Sequence, residues 1–383
     1  MPAVAELNAE RKKRARVRQL KRMALLFVLC LLILAAVYVQ PMLEGLSASD
    51  LFLEAFATVG KTGSFPVSLV GETARSIEFM NGSVAVLTDS NVQVYSRAGR
   101  SSATVQNGFA GGVCRVSGSR GVLYGAGAKR LILFGKGGAQ GSVELDYNII
   151  SAAVSASGRV AAITYAERHA ASVRVFDAKF TPLFTWYSAE NQAVALDFSP
   201  DANRLCVATI AAEGGGLVSA IKQFSIAGQS ELGETRLPET LLVALRYTQE
   251  GVLAVGDDRM VYVDEAGALK GSYSYQGKPI ARYSLADTGA ALALGDYTSE
   301  RQVSVVSLAK DCTVNFALVV KERILDLFTD GNFTYVLTDS VLSVYNQSGA
   351  LVNSYPNDSG AVGVTAGGES VYLLMPHLVK RLT

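Results

Sequence analysis

The 383 residues are 49% hydrophobic and 18% charged with a formal net charge of +1, a balance that supports a large folded core and excludes a disordered chain. The near-neutral total hides an asymmetry, because residues 1–22 carry eight basic side chains against Glu6 and Glu10, which leaves −5 for the remainder. A mildly acidic body excludes a nucleic-acid footprint on it, and no nucleic-acid partner is expected.

The basic cluster (Arg11, Lys12, Lys13, Arg14, Arg16, Arg18, Lys21, Arg22) runs directly into the uncharged MALLFVLCLLILAAVYV, 17 residues at positions 23–39. That length is the lower limit for a helix crossing a bilayer. A cleaved leader would need small residues at −3 and −1, yet cuts after Ala36 or Ala48 put Leu34 or Leu46 at −3. The expectation is an uncleaved signal anchor over 23–41. Its basic flank, residues 1–22, is then a cytoplasmic tail, and residues from 42 onward lie outside the cell membrane. A nuclear or RNA-binding reading of RKKRARVRQLKR is weaker, since the apolar run follows at once. Residues 42–64 form a linker in which SASDLFLEAFATVG (47–60) reads as a short helix capped by Ser47 or Ser49 and ended by Gly60. Phe52, Phe56 and Val59 share one face of it, to rest on the following domain or on lipid.

From residue 65 the chain repeats itself. AVLTDSNVQVY (85–95) returns as YVLTDSVLSVY (335–345), and a third copy, VLAVGDDRMVYVDEAGAL, spans 252–269. Glycine follows an aromatic residue or Val by four positions at Tyr95/Gly99, Phe134/Gly138, Phe224/Gly228, Val263/Gly267 and Tyr345/Gly349. Units start near Ser76, Gly112, Ile150, Gln192, Leu242, Ile280, Ile324 and Ala361, each with four short β-rich runs separated by Gly, Asn, Asp or Ser. Four strands per roughly 40 residues predict propeller blades, and no unit shows a sustained 3.6-residue apolar period. The last unit has room for three strands only (361–365, 370–375 and 378–382), while FPVSLV (65–70) is an orphan strand upstream. Lending that strand to the last unit closes an all-β, eight-bladed ring over 65–383 and covers an open edge. Seven blades is the alternative, because the fourth unit is long and irregular. The aspartates of the repeated motif, Asp89 and Asp339, fall between second and third strands and read as turn residues.

Strand direction orients the ring. An outermost strand runs from the face of the a-to-b and c-to-d turns toward the face of the b-to-c and d-to-a loops, so a chain arriving from the membrane puts the first face inward. The longest outward loops, 165–172, 211–220 and 296–302, carry Glu167, Arg168, His169, Glu213, Asp296, Glu300 and Arg301 to one rim. These are candidate binding residues, although solvated loops ordinarily look the same. EGGG (213–216) lacks the lysine and strand-to-helix context of a phosphate loop and reads as flexible.

Catalytic signatures are sparse. With only His169 and His377 in the chain, a three-histidine zinc site is impossible, and no metal or cofactor is expected. His377 reads as structural, at a turn before the last strand. The sequence has no GxSxG, HExxH or EF-hand loop. Outside the span, Cys114, Cys206 and Cys312 cannot all pair. Asn81, Asn332, Asn346 and Asn357 begin sequons, which matter only in a eukaryotic secretory source.

The basic N-terminus, single span and units of the form LTDS-x-x-x-VY-x-x-x-G resemble an uncharacterised family of membrane-anchored propeller proteins of Gram-positive bacteria. More distantly they resemble WD40-like and quinone-binding-like propellers, without the GH and WD dipeptides of the former or the tryptophan motifs of the latter. The resemblance implies a bacterial cell-surface protein and transfers no site. Together these readings predict a tethered binding or scaffolding module for an envelope protein or wall polysaccharide rather than an enzyme. The alternative is a glycan-active hydrolase or lyase with carboxylates at the channel mouth.

Overall fold

The computed structural model describes residues 63–382, the side chains of 299 and 300 excepted. The expected tail, anchor and 47–60 helix lie outside these residues. Among the described residues, no helix is long and apolar enough to cross a membrane.

Eight four-stranded antiparallel sheets follow one another along the chain, so the fold is an all-β, eight-bladed propeller and the seven-bladed alternative is excluded. Blades 1 to 7 occupy residues 74–106, 112–144, 149–188, 192–238, 242–274, 280–320 and 324–356. Blade 8 takes three strands from 363–382 and its outermost strand from Val67–Ser68, which pairs with Leu378 and Val379. The ladder between the two chain ends is short, yet other contacts pin it. Leu69 is buried between blades 8 and 1 and donates its N–H to the His377 carbonyl at 2.9 Å. The His377 imidazole Nδ1 lies 2.8 Å from the Glu72 carbonyl, which gives this histidine the structural place expected of it.

Each blade buries both faces, and this explains the composition of its middle strands. Ser83–Thr88 is buried along its full length. Its alternation sends Val84 and Val86 into the cluster shared with blade 8, and Ala85 and Leu87 into that shared with blade 2. The same arrangement recurs around the ring, with one buried apolar cluster between each pair of neighbouring blades. Each Val or Leu so buried contributes about 1.5–3 kcal/mol. The three described cysteines serve this packing, free and buried, and Trp186 packs on Phe224 with ring centroids 5.0 Å apart.

Two sequence readings change. EGGG is not a flexible loop: the second and third strands of blade 4, Arg204–Glu213 and Gly216–Ser225, stay in register to the pair Glu213 and Gly216. Gly214 and Gly215 turn the hairpin with φ of 58° and 84°, the two left-handed positions a type I′ turn demands. The irregular length of unit four is therefore one long hairpin. Likewise, the 296–302 loop contains a single helical turn, Tyr297–Glu300.

Candidate functional site

The residues singled out on the loop face all lie in b-to-c connections, those of blades 3, 4 and 6, and hence on one face of the ring. Glu167, Arg168 and His169 are exposed at the blade 3 corner. There the His169 ring lies 4.9 Å from that of Tyr187, and Tyr147 Oη is 3.5 Å from the Glu167 carboxylate. Glu213, at the hairpin tip, pairs with Arg236 of the same blade. Asp296 caps the helical turn, accepting from Thr298 N at 2.9 Å and Thr298 Oγ1 at 2.5 Å. Arg301 ends the turn at φ 52°, its N–H bonded to the Tyr297 carbonyl. The backbone of Glu300 closes the same turn. Thus the three loops share a face, but each organises itself within its own blade.

The repeated Thr-Asp-Ser motif is the structural core of the corners on this face. Asp89 exchanges backbone and side-chain hydrogen bonds with Thr73, accepting from Thr73 N at 3.2 Å and donating its own N–H to the Thr73 carbonyl at 3.1 Å. In the third copy Asp257 does the same with Leu241, at 2.8 and 3.0 Å. Asp89 and Asp257 each tie a hairpin corner to the residue just before their blade, which is a turn function.

A residue outside the motif completes the corner. Glu72 receives Thr88 Oγ1 at 2.5 Å, Asn91 Nδ2 at 2.6 Å and Gln93 Nε2 at 2.9 Å. Its twin Glu322 receives Thr338 Oγ1 at 2.7 Å and Ser340 Oγ at 2.6 Å. Burial works against the Glu72 anion, but the donors outweigh it and hold the carboxyl below its usual 4.5. At Glu322 the hydroxyls of Ser340 and Thr338 act chiefly, in the same direction. The twinning extends to Asn107 and Asn357, whose side-chain amides donate to the carbonyls of Thr88 and Thr338. Asn357 is buried, so its sequon is spent on structure.

The central channel holds what the sequence did not locate. Charges interrupt the apolar innermost strands at Arg75, Glu78, Arg115, Asp197, Arg246, Arg282 and Asp326. Asp197 accepts from Phe198 N at 3.0 Å and from Tyr247 N of blade 5 at 2.9 Å. Asp326 accepts from Leu327 N at 2.9 Å and from Val364 N of blade 8 at 2.8 Å. Ser284 accepts Thr329 N of blade 7 at 3.0 Å in the same way. These acceptors staple the innermost strands of blades 4 and 5, 6 and 7, and 7 and 8. Arg246 in turn donates to Asp287, at 2.9 Å.

Desolvation dominates here. It raises Asp197 and Asp326 despite their backbone donors and nearby guanidinium groups. It raises Glu78 to about 6, with Arg115 and Arg246 opposing and Asp326 adding to the rise. Blades 5 and 7 do not adjoin blade 1, so Glu78 feels Arg246 and Asp326 across the centre of the ring. It is crowded by protein on all sides yet still touched by solvent through the channel.

With this geometry in view, the comparisons are informative about fold and family. The crystal structure of the computationally designed Ika8 protein matches with TM-score 0.62 at 15% identity, covering 82% of this chain and 98% of its own. BamB from Moraxella catarrhalis matches with TM-score 0.53 at 13% identity over 84% and 97%. The C-terminal WD40 domain of Sif2 gives 0.59 at 12% over 84% and 99%. At such identities these likenesses speak for the propeller fold alone. No curated protein matches. The model of a family of unknown function, DUF5711, matches residues 64–379. With that match covering most of its length, the chain belongs to the DUF5711 family.

Proposed function

We propose that this protein is a membrane-tethered extracytoplasmic propeller of a Gram-positive bacterium. Its b-to-c face serves as a binding or scaffolding surface for an envelope protein or wall polymer. One observation carries the reading: the two faces of the ring are used differently. The N-terminal segment crosses at the a-to-b and c-to-d face, where Gly63 and Gly99 approach so closely that a Cβ on Gly63 would lie 2.5 Å from the Gly99 carbonyl oxygen. The opposite face carries the exposed Glu167, Arg168, His169, Glu213, Asp296 and Arg301 and the long blade 4 hairpin. A rigid ring with self-organised loops on its free side suits recognition of a partner. The basic flank and apolar run at 1–41 support the tether.

The glycan-active alternative finds one candidate acid in the channel, Glu78, at about 6. Its potential partners Asp197 and Asp326 are engaged by backbone N–H groups, which favours the binding reading. Site-directed crosslinking in native membranes tests the proposal, with cysteines at Arg168 and Glu213 on one face and at Lys179, in a c-to-d turn, on the other. Adducts with envelope components from the first two alone are expected. Equal adducts from both faces, or protection of Arg168→Cys from an impermeant thiol reagent on intact cells, would sink the proposal.

A further inference from the structure

The charges on the innermost strands divide by whether the protein itself satisfies them. Asp197 and Asp326 take two backbone N–H groups each, Arg246 takes Asp287, and Arg282 donates to the carbonyls of Ala281 and Leu325. Arg75, Glu78 and Arg115 are the exceptions; Arg75 is exposed near the start of the blade 1 strand, and Glu78 lies three residues further along it. Among the described residues, Glu78 accepts no hydrogen bond, Arg115 donates none, and no ion pair within 4.0 Å joins them.

Their placement is matched. Glu78 lies opposite Ala85 and Arg115 opposite Val122, equivalent positions on the second strands of blades 1 and 2. The two innermost strands pack side by side. Arg115 is exposed, and its charge steadies the Glu78 anion. The two groups are therefore within electrostatic reach of each other but too far apart to bond directly. A desolvated carboxylate without donors is costly, and a guanidinium presents a fork shaped for a carboxylate.

Partners of single charge fit poorly in this setting. A cation attracted to Glu78 meets Arg115 and Arg246; an anion attracted to Arg115 meets Glu78. A molecule carrying both charges satisfies each group and meets neither repulsion. We propose that the channel between blades 1 and 2 binds a small zwitterion of the α-amino-acid class, its ammonium group donating to Glu78 and its carboxylate held by the Arg115 guanidinium.

Calorimetric titration of the full chain in detergent at pH 7.5, with glycine, acetate and methylammonium as separate probes, tests this. Glycine is expected to bind, with acetate and methylammonium each weaker by about ten-fold or more, the worth of one charge-assisted hydrogen bond. Glu78→Gln and Arg115→Gln should each weaken glycine by a similar factor, and Arg115→Lys by less, because it keeps the charge without the fork. Affinity for glycine should also fall as pH drops through about 6 and Glu78 takes up its proton. No glycine binding by the wild-type chain, equal binding of the single-charge probes, or unaltered glycine affinity in a folded Glu78→Gln variant each overturns the proposal. Thermal melts confirm that the variants are folded.

Discussion

The carboxylates at the blade corners and those in the channel are the same chemical groups in opposite circumstances. Glu72 and Glu322 sit half-buried at the rim, surrounded by hydroxyl and amide donors, and both are held below the usual carboxylate range. Glu78, Asp197 and Asp326 stand in the ring centre, where loss of water prevails and all three are raised. Donor supply separates the two regions, since a carboxylate rich in donors stabilises the fold as an anion, and a desolvated one costs stability until something pairs with it. Within the channel, Asp197 and Asp326 have a structural occupation as acceptors between blades, and Glu78 has none.

The largest effect should come from removing an acceptor that staples two blades. Asp326→Ala leaves the N–H groups of Leu327 and Val364 without their acceptor and should cost about 3 kcal/mol in denaturant unfolding. Asp326→Asn keeps an acceptor oxygen and sheds a desolvated charge, so it should be close to wild type. If the asparagine variant were as unstable as the alanine variant, the charge itself would be holding the blades, through Arg282, and the contrast with the corners would fail.

Next in size is Glu78. Its carboxyl is raised from 4.5 to about 6, so the folded state binds the proton more tightly than the unfolded state. Its contribution to stability is therefore best below pH 4.5, declines as pH rises toward 6, and is constant above that. Glu78→Gln should remove this decline and gain about 2 kcal/mol at pH 7.5 relative to wild type. Thermal unfolding between pH 4.5 and 8 checks it, and a variant whose profile parallels the wild type would show that Glu78 is not desolvated.

At the corners, Thr338→Val preserves shape but removes the donor to Glu322 and the acceptor of Val341 N. It should cost about 1.5 kcal/mol. Thr88→Val should match it, because Thr88 performs the same two tasks for Glu72 and Asn91. A large inequality between the twins would show that the extra amides of Asn91 and Gln93 carry the blade 1 corner.

The two regions were unequally visible in the sequence. Blade starts and the closing strand were legible because strands buried on both faces are continuous apolar runs, and because left-handed turn glycines punctuate them, as at Gly99, Gly267 and Gly349 with φ of 80°, 82° and 78°. The turn role of Asp89 followed from its repetition. Glu72 and Glu322 were missed because they lie 16 residues before the threonines they bind, in connections with no periodicity. The channel charges did leave a signal, one charge inside SIEFM, VCRVS, ALDF, ALRY and ILDLF. Sequence spacing does not tell which of these face one another across a ring, and it does not distinguish a saturated aspartate from an unsatisfied glutamate. EGGG misled for a related reason, since its flexibility by composition is cancelled by the register of the hairpin it closes.

The smallest and most discriminating test returns to the corner carboxylates. Glu322→Gln keeps one acceptor oxygen for Thr338 or Ser340 but surrenders the charge that made those hydrogen bonds strong, and about 0.5–1 kcal/mol should be lost at pH 7. Because the Glu322 carboxyl is lowered from 4.5, its stabilisation is fully present above that value and disappears as pH falls through the lowered one. Wild type and variant should therefore differ at neutral pH and converge in acid, whereas the Glu78→Gln pair should converge in acid from the other side, with the variant the more stable at neutral pH. Opposite signs from two glutamate-to-glutamine changes in one molecule would establish donor supply as the difference between rim and channel. Equal signs would mean that both carboxylates answer to the net charge of the ring.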